Sequence, residues 1–327
     1  MDDGMYVSDS TNEEALLLVG HGTRDARGLR QFRQIARRVA ERWHAGPVQA
    51  CFLELASPSI GEAVDVLVEQ QVRRIVVAPL LLFAAGHAKK DIPRQVQAAV
   101  ERYSELELEV RYASPLGCHR RVLELSAARY AEAIGGADAA QNGTSVLPLP
   151  LGEGRGEGVA ELARAQPNRG DSEFVPVQLH AQTGMSVPPE GSTIGGNPDH
   201  SDAQNTLLVF VGRGSSDSEA IAEMHRFVRL RRELTPVEGV VTCFCAAASP
   251  SLDEGLQSAL SSTAERIVVQ PHLLFEGVVM DSIRQRVAAV VPANCRRRWS
   301  VADCLGPSAA LAEVVVESAR SKVAAEV

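Results

Sequence analysis

The stretch Leu16-Leu17-Leu18-Val19-Gly20-His21-Gly22-Thr23-Arg24-Asp25 decides the fold. An apolar run ends in a histidine flanked by glycines, and an amphipathic segment follows. A near-continuous apolar run suits a strand whose sheet is covered on both faces. Such sheets present functional residues where the strands end, because ligands bind outside the carboxyl ends of parallel strands. The stretch returns as Leu207-Leu208-Val209-Phe210-Val211-Gly212-Arg213-Gly214-Ser215-Ser216-Asp217, with arginine in place of the histidine.

Working outward, Leu29, Phe32, Ile35, Ala36, Val39 and Trp43 recur at helical spacing and predict a helix over 28–44. Val48–Leu55 reads as a second strand, and Ser57-Pro58 as the start of a helix running to about Gln71, with the proline near its first position. Arg74–Phe83 reads as a third strand. Ala88–Tyr103 reads as a helix with Pro93 in its first turn or at a break, Leu106–Tyr112 as a fourth strand and Arg120–Ile134 as a closing helix. Strands alternating with helices imply right-handed crossovers and a parallel sheet flanked by helices. The pattern stops over 135–205, which holds 12 of the 26 glycines and 7 of the 17 prolines and has no period. That composition predicts a disordered linker, as the polar residues 1–14 predict a disordered N-terminus.

From Thr206 to about 324 the first pattern repeats, shifted by 192 positions over the first three strands. Cys51-Phe52 matches Cys243-Phe244, Ser57-Pro58-Ser59 matches Ser249-Pro250-Ser251, and Arg74-Ile75-Val76-Val77 matches Arg266-Ile267-Val268-Val269. Identity in a fixed register marks a tandem duplication of whole domains, 15–134 and 206–324.

Composition excludes several classes. The 327 residues suffice for two full cores, and 45% hydrophobic with 4% aromatic content is that of a globular chain. No apolar run approaches a membrane span, and the N-terminus lacks the pattern of a signal peptide, so a cytoplasmic location is expected. A formal charge of −8 argues against nucleic acid as partner. The six cysteines form no CxxC pair, and Cys51, Cys243 and Cys245, in apolar strand-like runs, read as small buried hydrophobes.

Three polar residues of the first half fall at strand ends: His21, Glu54 and His87. Two imidazoles and a carboxylate suit Co2+, Fe2+, Ni2+ or Zn2+. Each alone has an ordinary structural explanation, a turn or cap for the histidines and a surface ion pair for Glu54. In the second half His21 becomes Arg213, Glu54 becomes Ala246 and His87 becomes Val278 or Val279, while the apolar frame survives. A requirement of the fold would keep the three in both halves; a single shared site needs them once. The ordinary explanation of Arg213 is a salt bridge with a nearby Asp or Glu such as Asp217. His119 lies near the fourth strand's exit, where it could touch a bound ligand, His272 reads as a satisfied core histidine, and His44, His180, His200 and His225 carry no functional expectation.

The segments Val19–Asp25, Phe52–Ile60 and Pro79–Pro93, with Pro115-Leu116-Gly117-Cys118-His119, resemble the signature segments of the sirohydrochlorin chelatases, the CbiX/SirB type of class II chelatase in its long two-repeat form. The resemblance covers about 15–134; the second half keeps the frame and departs at every ligand position. It implies two flavodoxin-like α/β domains facing across a cleft within one chain, which can then act as a monomer. It implies a lyase that inserts Co2+ or Fe2+ into sirohydrochlorin without ATP, in siroheme or cobalamin biosynthesis. No GxxxxGK[ST] phosphate loop occurs in the sequence. On the resemblance, His21 and His87 handle the metal with Glu54 assisting. The substrate's carboxylates call for a basic cleft: Arg24, Arg27, Lys89, Lys90, Arg120 and Arg121 lie in or just after the strand-end loops and Arg213 opposite them, and Arg24, Lys89, Lys90 and Arg213 are the candidates to bind the ring. A non-catalytic carrier of metal or tetrapyrrole, and a chelatase for another ring or for Ni2+, are the alternatives.

Overall fold

The computed structural model describes residues 14–83, 86–141, 205–235, 237–292 and 295–321, with the backbone alone for 86–88 and 137–141. The expected N-terminal extension and linker fall outside these residues, except at their edges. Glu14 opens the first strand, and residues 135–141 continue the closing helix instead of starting the linker.

The first half runs β1 (Glu14–Gly20), α1 (Ala26–Ala40), β2 (Val48–Phe52), α2 (Ile60–Glu69), β3 (Arg74–Pro79), α3 (Gly86–Val100), a 3-10 turn (Glu101–Leu106), β4 (Glu109–Tyr112) and α4 (Arg120–Gln141). The second runs β5 (Thr206–Gly212), α5 (Ser218–Glu233), β6 (Gly239–Phe244), α6 (Leu252–Leu260), β7 (Arg266–Pro271), α7 (Val278–Val290), β8 (Arg298–Val301) and α8 (Ala309–Arg320). Each half is a four-stranded parallel sheet, ordered β2-β1-β3-β4 and β6-β5-β7-β8. Among the described residues no helix is long and apolar enough to cross a membrane.

Local chemistry sets the helix starts. The Asp25 and Asp217 side chains accept from the backbone N–H two residues on and cap α1 and α5. Ser59 with Glu62, and Ser251 with Glu254, form reciprocal capping boxes. These satisfy the orphan N–H groups of the first turn. Helix α2 therefore starts at Ile60, and Pro58 stands before the cap, not at the first helical position. Pro93 lies inside α3, beyond its first turn.

Alternation along β1 sends Ala15, Leu17 and Val19 to one face, against Ile60, Val64 and Leu67 of α2 and Ile92 and Val96 of α3. Leu16 and Leu18 face the other way. The helix that covers this second face comes from the other half: α8 packs on α1 and β3, while α4 packs on α5, β7 and β8. The closing helices are exchanged. Leu311, Val314, Val315 and Val316 of α8 join Leu16, Phe32, Ile35 and Val39 of the first half in one core that continues into the second. Burial of such side chains stabilises by about 1.5–3 kcal/mol each.

Polar contacts hold the exchange in place. On α8, the Ser318 hydroxyl donates to the Ser114 carbonyl at 2.8 Å, and Arg111, paired with Glu14, donates to the Ala319 carbonyl. Opposite, Arg231 of α5 is fully buried. Its guanidinium donates to the Ser126 hydroxyl (3.2 Å) and carbonyl (3.3 Å) of α4 and lies over the Tyr130 ring. Gln270 of β7 donates to the same Ser126 carbonyl at 2.6 Å. Burial pushes the Arg231 pKa down to about 10, and among the described residues no carboxylate pairs with it.

His272, just past β7, is buried as expected but not satisfied. It packs among Phe83, Phe210 and Phe227, with the Phe227 ring 4.1 Å away, and neither ring nitrogen has a hydrogen-bond partner among the described residues.

Candidate functional site

The carboxyl ends of β1, β2 and β3 lie side by side, because β1 pairs with both neighbours. His21 follows β1 directly. The Leu53 and Glu54 N–H groups donate to the carbonyls of Gly20 (2.8 Å) and His21 (3.1 Å), which places the Glu54 segment beneath the histidine. Gly22 makes the approach possible. Its φ is +97°, and a Cβ there would stand 1.7 Å from the Glu54 carbonyl oxygen. Only glycine fits a left-handed residue pressed so closely on backbone.

The side chains meet. His21 Nε2 lies 3.4 Å from Glu54 Oε1, both partly open to solvent at 34% and 55% exposure. Two ligands around one tetrahedral ion, each roughly 2.0–2.2 Å from it, stand about 3–3.5 Å apart, so the pair has the bite for a single divalent cation. His87 lies in the first turn of α3, after β3; its side chain is outside the described residues. Among the described residues no group of three His, Cys, Asp or Glu side chains is gathered for a metal.

The second half repeats the scaffold without these side chains. Cys245 and Ala246 donate to the carbonyls of Gly212 (3.0 Å) and Arg213 (3.1 Å), as Leu53 and Glu54 do in the first half. Gly214, at φ +89°, meets the Ala246 carbonyl as Gly22 meets that of Glu54. The buried pairs Ile92/Ile283 and Val96/Val287 set the register of α7 against α3 and make Val278 the counterpart of His87. Val278 is 74% exposed.

The basic candidates divide. Arg24, Lys90 and Arg213 are exposed. The Asp217 carboxylate caps α5, and among the described residues no ion pair joins it to Arg213. Lys89 pairs with Glu219 of α5, and this contact raises its pKa. Arg27 is held by Asp25 (2.8 Å) and Asp281 (2.5 Å); in return the Asp25 carboxyl is lowered to about 2. Arg120 pairs with Glu124, and Arg121 with Glu313 and Glu317. His119 also meets Glu317, at 3.3 Å. Of the basic candidates, Arg27, Lys89, Arg120 and Arg121 are thus paired with acids, and Arg24, Lys90 and Arg213 are exposed. The sequence reading did not find Asp281 and Glu219, the acids that neutralise Arg27 and Lys89. The one sequence signal near these contacts is a charge reversal between equivalent positions of the repeats, Arg27 in the first half and Glu219 in the second.

Two doubly wound α/β units with exchanged closing helices, and with imidazole, carboxylate and guanidinium groups at the carboxyl ends of their strands, define a duplicated ligand-binding class. The CbiX family profile matches residues 15–133 and 207–322, and the chain belongs to that family. It is 28% identical over 302 residues to the sirohydrochlorin ferrochelatase of Priestia megaterium, covering 92% of this chain and 88% of that protein. It is 24% identical over 315 residues to the sirohydrochlorin cobaltochelatase of the same organism, covering 96% and 81%. Its fold matches SirB from Bacillus subtilis with Fe3+ at a TM-score of 0.68, with 22% identity over 94% of each chain.

Proposed function

We propose that this chain is a metal chelatase that inserts Co2+ or Fe2+ into sirohydrochlorin without ATP. The observation that carries the reading is the match of both repeats to a family whose similar members are a sirohydrochlorin ferrochelatase and a cobaltochelatase. The His21–Glu54 pair supplies chemistry suited to it.

Insertion exchanges two pyrrole N–H protons of the ring for one divalent ion. The ion arrives on His21 and His87, with Glu54 beside them. Neutral imidazoles bind borderline ions while leaving the site uncharged enough to release them. As the ring nitrogens take the ion, His21 and Glu54 accept protons; the partial exposure of both gives those protons a way to solvent. Arg24, Lys90 and Arg213 bind the ring's carboxylates, and Lys89 does so while shared with Glu219. Exposed Val278, in the place of His87, offers the macrocycle an apolar contact where a second metal ligand would compete.

In this reading one chain supplies both walls of the cleft and works as a cytoplasmic monomer, with no nucleic-acid or membrane partner. The test is direct. Purified protein is mixed with sirohydrochlorin and Co2+ or Fe2+, ATP is omitted, and the ring's absorbance is followed. Insertion well above the uncatalysed rate is expected; binding of the ring without faster insertion would overturn the reading.

A further inference from the structure

The two halves touch through two partly exposed ion pairs at helix N-termini that are counterparts of each other. In one, Arg27 in the first turn of α1 grips Asp281 in the first turn of α7 with two hydrogen bonds, 3.1 and 2.5 Å. In the other, Lys89 in the first turn of α3 meets Glu219 in the first turn of α5. Positions 27 and 219 are equivalent, since each lies two residues after the aspartate that caps its helix. The buried isoleucines Ile92 and Ile283 make Lys90 the strict counterpart of Asp281, with Lys89 its neighbour. The two contacts are thus one contact, made twice across the approximate two-fold relating the halves. Their charges are reversed: the first half offers Arg27, Lys89 and Lys90, the second offers Glu219 and Asp281.

We propose that this reversal is a recognition code by which the first half accepts the second half as partner and rejects a copy of itself. The need is physical. Two repeats with the same sheet order and exchanged closing helices present similar docking faces. Shape alone therefore leaves like-with-like pairing open. If two first halves paired, Arg27 would face Lys89 and Lys90, twice. If two second halves paired, Glu219 would face Asp281, twice. Each wrong assembly carries two clusters of like charge where the native one carries two attractive pairs, and repulsion in wrong complexes is an effective source of specificity. Asp25 and Asp217, alike in both halves, take no part in the discrimination. Close approach at one contact is built in: Gly28 lies against the Glu276 carbonyl of the other half, where an added Cβ would come within 3.1 Å.

The full-length chain tests this by charge inversion. One double variant, Glu219→Lys with Asp281→Lys, makes both halves basic at these contacts; the other, Arg27→Glu with Lys89→Glu, makes both acidic. Urea unfolding at low salt is expected to shift toward the unfolded state by about tenfold or more in each, an effect reduced in 1 M NaCl. The quadruple variant, with both pairs rebuilt in reverse, is expected to recover most of the loss. The two double variants refolded together are expected to give a one-to-one heterodimer by native mass spectrometry. A quadruple variant carrying the sum of the two losses, or co-refolded double variants that stay monomeric, would overturn the proposal. Both readouts are independent of metal insertion, so failure here is distinct from failure of the chelatase reading.

Discussion

At the scale of single residues, the second half has acquired polar groups where the first half is apolar. Arg231, Gln270 and His272 stand where the first half has Val39, Ala78 and Leu80. A histidine at the end of an apolar run reads as a core residue, and it is one, but its aromatic neighbours offer the ring nitrogens nothing to bond. Burial lowers the His272 pKa to about 3. In the unfolded chain it returns to about 6.5. Below about pH 6.5 the unfolded state binds a proton that the folded state refuses, so this residue's contribution weakens as pH falls toward 3 and is constant above neutrality. Its share of the slope approaches about 1.4 kcal/mol per pH unit. The variant His272→Leu, which borrows the first half's own residue, is expected to flatten the acid side of a plot of urea midpoint against pH. An unchanged slope between pH 7.5 and 5 would show that another group carries it.

At the scale of elements, the strands are legible because they are apolar, and overlong as read because apolarity does not stop where pairing does. The run Val48–Leu55 predicts eight residues of strand, yet β2 ends at Phe52 and Leu55 turns outward at φ +62° with half its surface exposed. Likewise β3 ends at Pro79, although apolar residues continue to Phe83 as the chain leaves the sheet for α3. The same tight geometry places Glu54. Gly22→Ala would force a Cβ into the Glu54 carbonyl, and a strained backbone of this kind costs about 1–3 kcal/mol. The expected result is a lower urea midpoint together with weaker Co2+ binding by titration calorimetry, since His21 and Glu54 lose their common scaffold. Wild-type metal affinity in a folded Gly22→Ala protein would argue that the turn does not set the site.

At the scale of the whole molecule, the positions of His21, Glu54 and His87 were readable because strand ends of a parallel sheet gather on one side. The exchange of α4 and α8 was not. An amphipathic helix records that it needs a sheet, not which of two similar sheets it covers. Arg24, Lys90 and Arg213 are exposed, whereas Arg27 and Arg121 pair with acids brought in from the other half by tertiary contacts. Equivalent backbone turns present the His21–Glu54 pair in one half and the Arg213 guanidinium in the other, and the proposed function divides metal handling and ring binding between them. Steady-state insertion kinetics on His21→Ala and Arg213→Ala, run side by side with sirohydrochlorin and Co2+, test that division most directly. His21→Ala is expected to lose kcat by at least about 100-fold with little change in KM for the ring. Arg213→Ala is expected to raise that KM by about tenfold or more while keeping most of kcat. Equal losses of kcat in both variants, or full activity in His21→Ala, would contradict it.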